Sequence, residues 1–523
     1  MFTTEEEMEQ QSKRELMSLV ATYRMTEIEE DEKDLYGELP SPSDSPPHKG
    51  HALDMEILKS SEWDPLEPIH ETIHPTEEDS HTSNAEEVPV VRTIDFVDNT
   101  MKDQQEDGNV LHAVWQLRRL LKDELSSNEE IFQSYKKLPA PRASFLNQRE
   151  LRLLLNHLAW NKTLNESVML RFLSILDDMK AANIEIDQHD WNTAIYFAGK
   201  CAGRITQTEV ESTLLLWKEM EHEAGVQSDI VTFTILFDAA SKAGKFVLAS
   251  MILKEMQYRK LQFDRTTRMT RMYYYGLRRD GDGVRREYLS LVKAGEIVDT
   301  AVLTCVMKSL INAGEPTGAE QIFERMKVLH AGRTGATQPP TGWRGDRRLR
   351  RILTRAANKW RDNPEARANI QEAAPLAPSV TTYGVLIEYH SFEAGNIDRA
   401  FELLEEMEIS GLHPDGSIFY WLFTGFARHG GTEYSSWTLS RLERIMSMFL
   451  TACEERPDEV EPGHGTTHMA VKAFIVCANF ERAIEIWNEL KVRWAPSEKT
   501  ITAVNRALLS KRDNDEFSIS RRW

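Results

Sequence analysis

Residues 230–264 read IVTFTILFDAASKAGKFVLASMILKEMQYRKLQFD, a pattern typical of two short helices joined by a turn. Apolar residues recur at helical spacing in the first half: Phe233, Leu236, Phe237 and Ala240. Gly244 follows at the turn, where a residue that tolerates positive φ commonly ends a helix. A second apolar stripe continues after it: Leu248, Ile252 and Met256. Each helix has one apolar face, so the hairpin needs neighbours of the same kind to bury it.

The same pattern recurs along the chain with a period of 35 residues. Asp229, Asp264 and Asp299 are separated by one repeat length each. Residues 380–415, VTTYGVLIEYHSFEAGNIDRAFELLEEMEISGLHPD, repeat the pattern with one extra residue and close on Asp415. Self-similarity at such a period is the signature of a solenoid of stacked supersecondary units. The sequence therefore predicts an all-α solenoid built from helix-turn-helix repeats.

The acidic charge of the chain is concentrated at its N-terminus. Residues 1–110 hold 29 Asp and Glu against 8 Lys and Arg, with few apolar residues, and so predict a disordered acidic tail. The other residues hold 54 acidic and 55 basic side chains, so the net charge of −20 does not exclude an anionic partner of the folded part. The remaining segments are predicted in this order: an N-terminal helix and linker (111–142), an N-terminal repeat array (148–329), a basic insertion with a Gly/Pro-rich loop (330–378), a C-terminal array (379–510) and a loose C-terminus (511–523).

The sequence offers no pattern for a cofactor, a metal or a catalytic centre. Its four cysteines form no CxxC, and the HxxxH of His464 and His468 lies in a Gly/Thr-rich stretch that predicts a loop. A zinc deaminase would need an HxE followed by a CxxC, which is absent. No run of about 18 apolar residues occurs, so no membrane span is expected. We expect a protein that is not an enzyme and carries no cofactor.

Short motifs identify the kind of repeat. The segments VTFT (231–234), KAGK (242–245), KEM (254–256), TTYG (381–384) and HPD (413–415) resemble the pentatricopeptide repeat family over roughly residues 150–330 and 380–510. The tetratricopeptide repeat is the competing assignment, but its Trp…Leu-Gly…Tyr opening is absent. The resemblance implies a right-handed α-solenoid that binds single-stranded RNA, one base per repeat.

In this family the base is read by the residue after the aromatic of the first helix, together with the last residue of the repeat. The resemblance implies these pairs here: Asn192 with Asp229, Thr234 with Asp264, Met269 with Asp299, and Gly384 with Asp415. It further implies uracil for Asn with Asp and guanine for Thr with Asp. Thr304 occupies the reading position of a repeat without a clear closing acid, and Tyr420 suits stacking better than reading. Each closing Asp has an alternative role as the N-cap of the next helix.

Arg265, Arg268 and Arg271 lie about one turn apart in the fourth repeat and predict a basic stripe for RNA phosphates. The alternative is a solvated charged face over buried tyrosines. The basic insertion also has two interpretations: it contacts RNA phosphates, or it contacts a protein or the ribosome.

The sequence is compatible with two functions. The first is a single-stranded RNA-binding protein acting in organellar, by family resemblance mitochondrial, transcript stability, processing or translation, with the mitochondrial ribosome or RNA-processing proteins as further partners. The second is a solenoid scaffold for protein partners, for example a ribosome-associated assembly factor. The acidic N-terminus is unlike a mitochondrial transit peptide, which is rich in Arg and poor in acids.

Overall fold

The computed structural model describes residues 103–123, 126–159, 166–200, 205–332, 338–340, 342–360, 363–432, 434–457 and 459–520. Residues 1–102, most of the predicted disordered tail, lie outside this part. Within the described ranges no residue lies in a β-strand. The α-helices are, in chain order, α1 Asp103–Lys122, α2 Asn128–Lys136, α3 Gln148–Ala159, α4 Glu166–Ala181, α5 Gln188–Lys200, α6 Gln207–Lys218, α7 Ile230–Lys242, α8 Phe246–Tyr258, α9 Arg265–Leu277, α10 Gly281–Lys293, α11 Thr300–Ala313, α12 Pro316–Ala331, α13 Trp343–Lys359, α14 Pro364–Ala373, α15 Val380–Glu388, α16 Ile397–Ile409, α17 Gly416–His429, α18 Leu439–Glu455, α19 His464–Cys477, α20 Phe480–Arg493 and α21 Glu498–Ser520.

The helices stack repeat upon repeat in each of two compact units, which meet along the chain at Thr270 and Arg271. In the first unit, α5 pairs with α6 in a hairpin and also packs against α7, the first helix of the next repeat. In the second unit, α11, α15, α17, α19 and α21 pack successively in the same way. The predicted all-α solenoid of helical hairpins is confirmed.

The hairpin of α7 and α8 shows why the repeat folds as the sequence predicts. The Asp229 side chain caps the first turn of α7, and Gly244 takes the predicted positive φ, of +74°, between the helices. The apolar stripes of both helices are buried: Phe233, Leu236, Phe237, Ala240, Leu248, Ala249, Ile252 and Met256. Local capping and apolar periodicity therefore agree, which is the condition for a well-defined unit.

Ion pairs connect the second helices of neighbouring repeats. Arg482 of α20 lies 2.8 Å from Glu443 of α18, and Lys327 of α12 lies 2.9 Å from Glu406 of α16. These partners are partly exposed, so each pair contributes little stability. Repeated from hairpin to hairpin, such contacts favour one register of stacking.

Three sequence predictions need correction. His464 and His468 lie in the first turns of α19 instead of a loop, with their rings stacked 6.4 Å apart. Helix α21 continues to Ser520, past residue 510 where a loose C-terminus was predicted. The insertion, predicted as a basic segment with a Gly/Pro-rich loop, contains two helices, α13 and α14. Among the described helices, none combines the length and the apolar character that crossing a membrane requires.

Candidate nucleic-acid interface

The first helix of each repeat begins in the same way, and this sets the geometry of the predicted RNA contacts. The closing residue of one repeat precedes the first helix of the next, and the third residue of that helix turns inward. These third residues are all buried: Asp190, Thr232, Thr267, Val302, Thr382, Ile418, Thr466 and Thr500. The reading residue is the fifth of its helix. In each repeat the fold can thus bring three side chains together: the reading residue, the closing residue that follows it, and the third residue of the next first helix.

Asn192 and Asp229 are brought together as the sequence predicts. The Nδ2 of Asn192 donates to Oδ1 of Asp229 at 3.2 Å. The Thr232 hydroxyl lies 2.6 Å from Oδ1 of Asn192 and 3.0 Å from the same Asp229 oxygen. Asp229 also accepts from the backbone N–H of Thr232 at 2.9 Å, so it caps α7 and holds Asn192 at once.

Thr234 reaches Asp264 through a threonine of the next repeat. The hydroxyls of Thr234 and Thr267 lie 2.8 Å apart, and the Thr267 hydroxyl donates to Oδ1 of Asp264 at 2.7 Å. Asp264 accepts the backbone N–H of Thr267 as well, at 2.8 Å. We call this chain of hydrogen bonds, from the reading residue through the third residue of the next first helix to the closing residue, a ladder. The ladder of the preceding repeat recurs here, and the threonine connects the reading residue to the closing residue.

The structure also identifies the missing closing residue of the fifth repeat. Thr304 lies 2.8 Å from the Thr382 hydroxyl, although 78 positions separate them in the chain. Ser379 caps α15, accepting from the backbone N–H of Thr382 and contacting its hydroxyl at 3.1 Å. Ser379 thus stands where Asp229 and Asp264 stand in their repeats, and the insertion leaves the register of the array unchanged. Pro378-Ser379 matches Pro414-Asp415 in the sequence, a signal that could have found it.

The other predicted positions lack this ladder. Gly384 faces Ile418: a Cβ added to the glycine would lie 3.7 Å from Cγ1 of the isoleucine. Asp415 caps α17, accepting from the backbone N–H groups of Ser417 and Ile418. Met269 and Tyr420 are partly buried, and Asp299, itself buried, caps α11 through the N–H of Val302. The N-cap role of the closing Asp is present at all these sites, whether or not a polar reading residue accompanies it.

Hydrogen-bond capacity remains on the reading residues for a ligand. Asn192 is 6 % exposed and Thr234 and Thr304 are 7 % exposed, so only a small edge of each faces outward. An amide has two N–H donors and two oxygen lone pairs, and Asn192 uses one of each inside the protein. Thr234 has one hydroxyl hydrogen, which is accepted either by the Ile230 carbonyl at 2.7 Å or by the Thr267 hydroxyl at 2.8 Å; in both cases a lone pair of the Thr234 oxygen remains as an acceptor.

The basic stripe predicted on α9 is not an exposed surface. Arg265 is 2 % exposed and ranks among the largest fully buried side chains. Arg268 and Arg271 are partly buried, and Arg271 lies 2.8 Å from the buried Glu287 of α10. The prediction of exposure is wrong for Arg265 because helical spacing shows that residues share a face, but not whether another helix covers that face.

Comparisons with known proteins place these repeats in a family. A family model described as a pentatricopeptide repeat domain matches residues 215–263. A second, described as a PPR repeat, matches residues 301–329 and 392–412. No match is found among curated proteins.

The solved structures that match this chain include two of the pentatricopeptide repeat protein PPR10. One is in complex with an 18-nt psaJ RNA element, with 17% identity, 79% of this chain and 60% of that chain covered, and a TM-score of 0.33. The other, PPR10 from maize, has 16% identity, coverages of 80% and 65%, and a TM-score of 0.26. The PPR domain of Arabidopsis thaliana protein-only RNase P 1 in complex with tRNA has 13% identity, coverages of 40% and 98%, and a TM-score of 0.27. The chain spans 60% of the length of the first of these proteins.

Proposed function

Because the chain is a pentatricopeptide repeat protein, we propose that it binds single-stranded RNA, with successive bases facing successive repeats. The observation that supports this most is the recurring ladder that holds a polar reading side chain beside the closing residue, which caps the next first helix. It occurs at Asn192, Thr234 and Thr304, each time with a threonine of the next repeat as the bridge. A side chain held in place before binding loses little conformational freedom when a base arrives.

The two ladders with an aspartate favour different bases. Uracil offers carbonyl oxygens and one ring N–H, which suit the remaining N–H and the carbonyl of the Asn192 amide together with Asp229. Guanine offers ring and amino N–H donors, which suit the acceptor lone pairs of Thr234 together with the Asp264 carboxylate. These capacities support the uracil-then-guanine preference that the family resemblance implies for the second and third repeats.

The cellular role extends this proposal. By resemblance to its family, the protein acts on organellar transcripts, in mitochondria, in their stability, processing or translation. The RNA strand is the primary partner, and the mitochondrial ribosome or RNA-processing proteins are further partners. The chemistry assigned to the repeats is recognition, without a catalytic step.

Competition binding of the full chain to short RNAs tests the proposal. The RNAs carry uracil and guanine at two adjacent positions, in that order or swapped, within an otherwise constant strand. We expect the first order to bind about 10-fold more tightly, in line with one good hydrogen-bonding difference of ~1.4 kcal/mol. Asn192→Thr should shift the preference at the base facing the second repeat from uracil towards guanine. Thr193→Ala, at a residue that is neither a reading nor a closing residue, should leave that preference unchanged.

Equal affinity for both orders would remove the base assignment. Absence of any salt-sensitive RNA affinity would remove RNA binding itself and favour the solenoid scaffold for protein partners, because strand binding depends steeply on salt.

A further inference from the structure

Helix α13 of the insertion carries an unusual amount of positive charge for its length. Its 17 residues, WRGDRRLRRILTRAANK, contain six arginines and one lysine against a single aspartate. The helix is not part of any repeat, because the array continues in register across the insertion through Thr304 and Thr382. Stacking of the repeats therefore does not require α13, and it does not explain the positive charge of this helix.

One face of α13 is packed against the array. Leu353 and Ala357 are buried in a small apolar cluster with Ile297 of the connector before α11 and with Ala374 at the end of α14, and Leu349 extends this contact. These positions recur at four-residue spacing, so they form one stripe along the helix. The packed stripe fixes which side of α13 faces outward.

The outward side is a basic stripe. Arg348, Arg351, Arg355 and Lys359 are all exposed and follow one another at spacings of three and four residues. At ~1.5 Å per residue these side chains extend over ~16 Å of helix. Trp360 follows at the end of the stripe, 36% exposed, with the Lys359 ammonium 5.0 Å from the centre of its ring. Cations for phosphates and an aromatic face for a base are the combination used by single-strand binding surfaces.

The insertion is fastened beside the line of reading and closing residues. The Gln371 side chain of α14 bonds both backbone groups of Val298: its Oε1 accepts the N–H at 2.8 Å and its Nε2 donates to the carbonyl at 2.7 Å. The backbone N–H of Thr300 donates to the carbonyl of Pro375 at 2.9 Å. These contacts flank Asp299, the closing residue of the fourth repeat, so the basic stripe belongs to an insertion that is anchored beside a closing residue.

From this placement we infer that the stripe Arg348, Arg351, Arg355 and Lys359, with Trp360 at its end, is a second RNA contact that binds the phosphate backbone without reading its sequence. The inference rests on the proposed function, because the same strand would occupy both surfaces. A basic anchor at the fifth repeat compensates for neighbouring repeats whose reading residues, such as Gly384, offer no polar contact. It adds affinity where the array offers little base recognition.

Charge reversal in the full chain tests this inference. The variant Arg348→Glu, Arg351→Glu, Arg355→Glu is compared with Arg119→Glu, Lys122→Glu, Lys137→Glu, which makes the same change in net charge at exposed residues of the N-terminal helices and linker. Both are titrated with one RNA at several salt concentrations. The α13 variant should bind at least 10-fold more weakly than the control. Its slope of log affinity against log salt should be smaller by about 2, as expected for about three lost phosphate contacts at about 0.7 each. The uracil–guanine preference should persist.

Arg→Gln at the same three positions is the second variant, since it removes charge without adding repulsion, and circular dichroism on all variants checks the fold. Equal affinity and equal salt slope for the α13 and control variants would overturn the inference while leaving the proposed function intact. If the α13 variant lost the base preference together with the affinity, the inference would also be overturned, because the stripe would then act by positioning the reading residues. Failure of the unaltered protein to bind RNA would instead remove the proposed function.

Discussion

The side chains of Asn192 and Asp229, 37 positions apart in the chain, are joined by a hydrogen bond of 3.2 Å from Nδ2 to Oδ1. The bond connects the reading position of one repeat to the capping residue of the next first helix, and the Thr232 hydroxyl contacts both partners. Stability and the proposed recognition therefore share the same atoms: the carboxylate that caps α7 also orients the amide that we propose to read a base. This coupling leads to predictions that a purely structural or a purely ligand-facing role would not make.

Thr232→Val removes the hydroxyl that bridges this pair while preserving side-chain shape. Because Oδ1 of Asn192 then loses its buried donor, we expect a loss of ~1–2 kcal/mol in the free energy of unfolding. Discrimination for uracil at the second repeat should weaken by about 3–10-fold, since the amide is held less firmly. Urea unfolding and competition binding measure the two effects. Thr193→Val is the control, because the Thr193 hydroxyl donates to the carbonyl of His189 within its own helix; an equal loss in both variants would contradict the bridging role.

Gly384→Asn combined with Ile418→Thr should build a new ladder in the second unit. The space beside Gly384 accepts a Cβ at ordinary contact distance from residue 418, and Asp415 already caps the helix there, able to accept a threonine hydroxyl. We expect the double variant to gain a preference of about 5–10-fold for uracil at the base facing this repeat. Competition binding measures it.

Gly384→Asn alone is the matched control for this gain. It adds the amide but leaves Ile418, which offers no hydrogen bond to orient it. A preference as large in the single variant as in the double one would show that the bridging threonine is unnecessary.

Two helical glycines should respond in opposite directions to alanine. Gly384→Ala adds a methyl group at an ordinary contact distance of 3.7 Å from Cγ1 of Ile418 and removes the helix penalty of glycine, so we expect ~0.5–1 kcal/mol of added stability. At Gly276 of α9 the new Cβ would lie 2.5 Å from the backbone carbonyl oxygen of Ser309 in α11. Relieving that overlap requires the helices to separate, so Gly276→Ala should destabilise by at least ~1–3 kcal/mol. Urea midpoints of the two variants provide the measurement, and a stabilised Gly276→Ala would contradict the close approach of α9 and α11.

Glu320 should make the second unit sensitive to acid. Burial by itself would raise the pKa of this carboxyl, but hydrogen bonds from His390 and Arg399 outweigh it and lower the pKa to about 2. A carboxyl with a lowered pKa in the folded state stabilises fully above its unfolded value of about 4.5, and that contribution is lost as the pH falls from there through 2. Glu320→Gln should therefore cost stability at pH 7, by ~1–2 kcal/mol after allowance for partial exposure, and much less near pH 3.

Thermal unfolding of the variant and the unaltered protein at both pH values measures this difference. Glu324→Gln is the matched control, because Glu324 also forms ion pairs, with Lys327 at 2.8 Å and with Arg399 at 3.8 Å, but is more exposed than Glu320. A cost that stays constant between pH 7 and pH 3 would show that the loss arises from packing and not from the charge of Glu320.

The sequence by itself determined the features that depend on neighbours close in the chain. The hairpin of residues 230–264, the positive φ at Gly244 and the capping by Asp229 and Asp264 all follow from helical periodicity and local hydrogen bonding. These interactions span a few residues, so the residue pattern suffices to predict them.

Only the tertiary structure decided what covers each face and where the chain returns after the insertion. Ser379 became the closing residue of the fifth repeat because α15 packs against α11, far from it in sequence. Arg265 is buried although its spacing suggests an exposed stripe. The bridging role of Thr232 likewise depends on a contact with the preceding repeat. Contacts between distant residues are set by the packing of whole helices, and a local pattern contains no information on the partner.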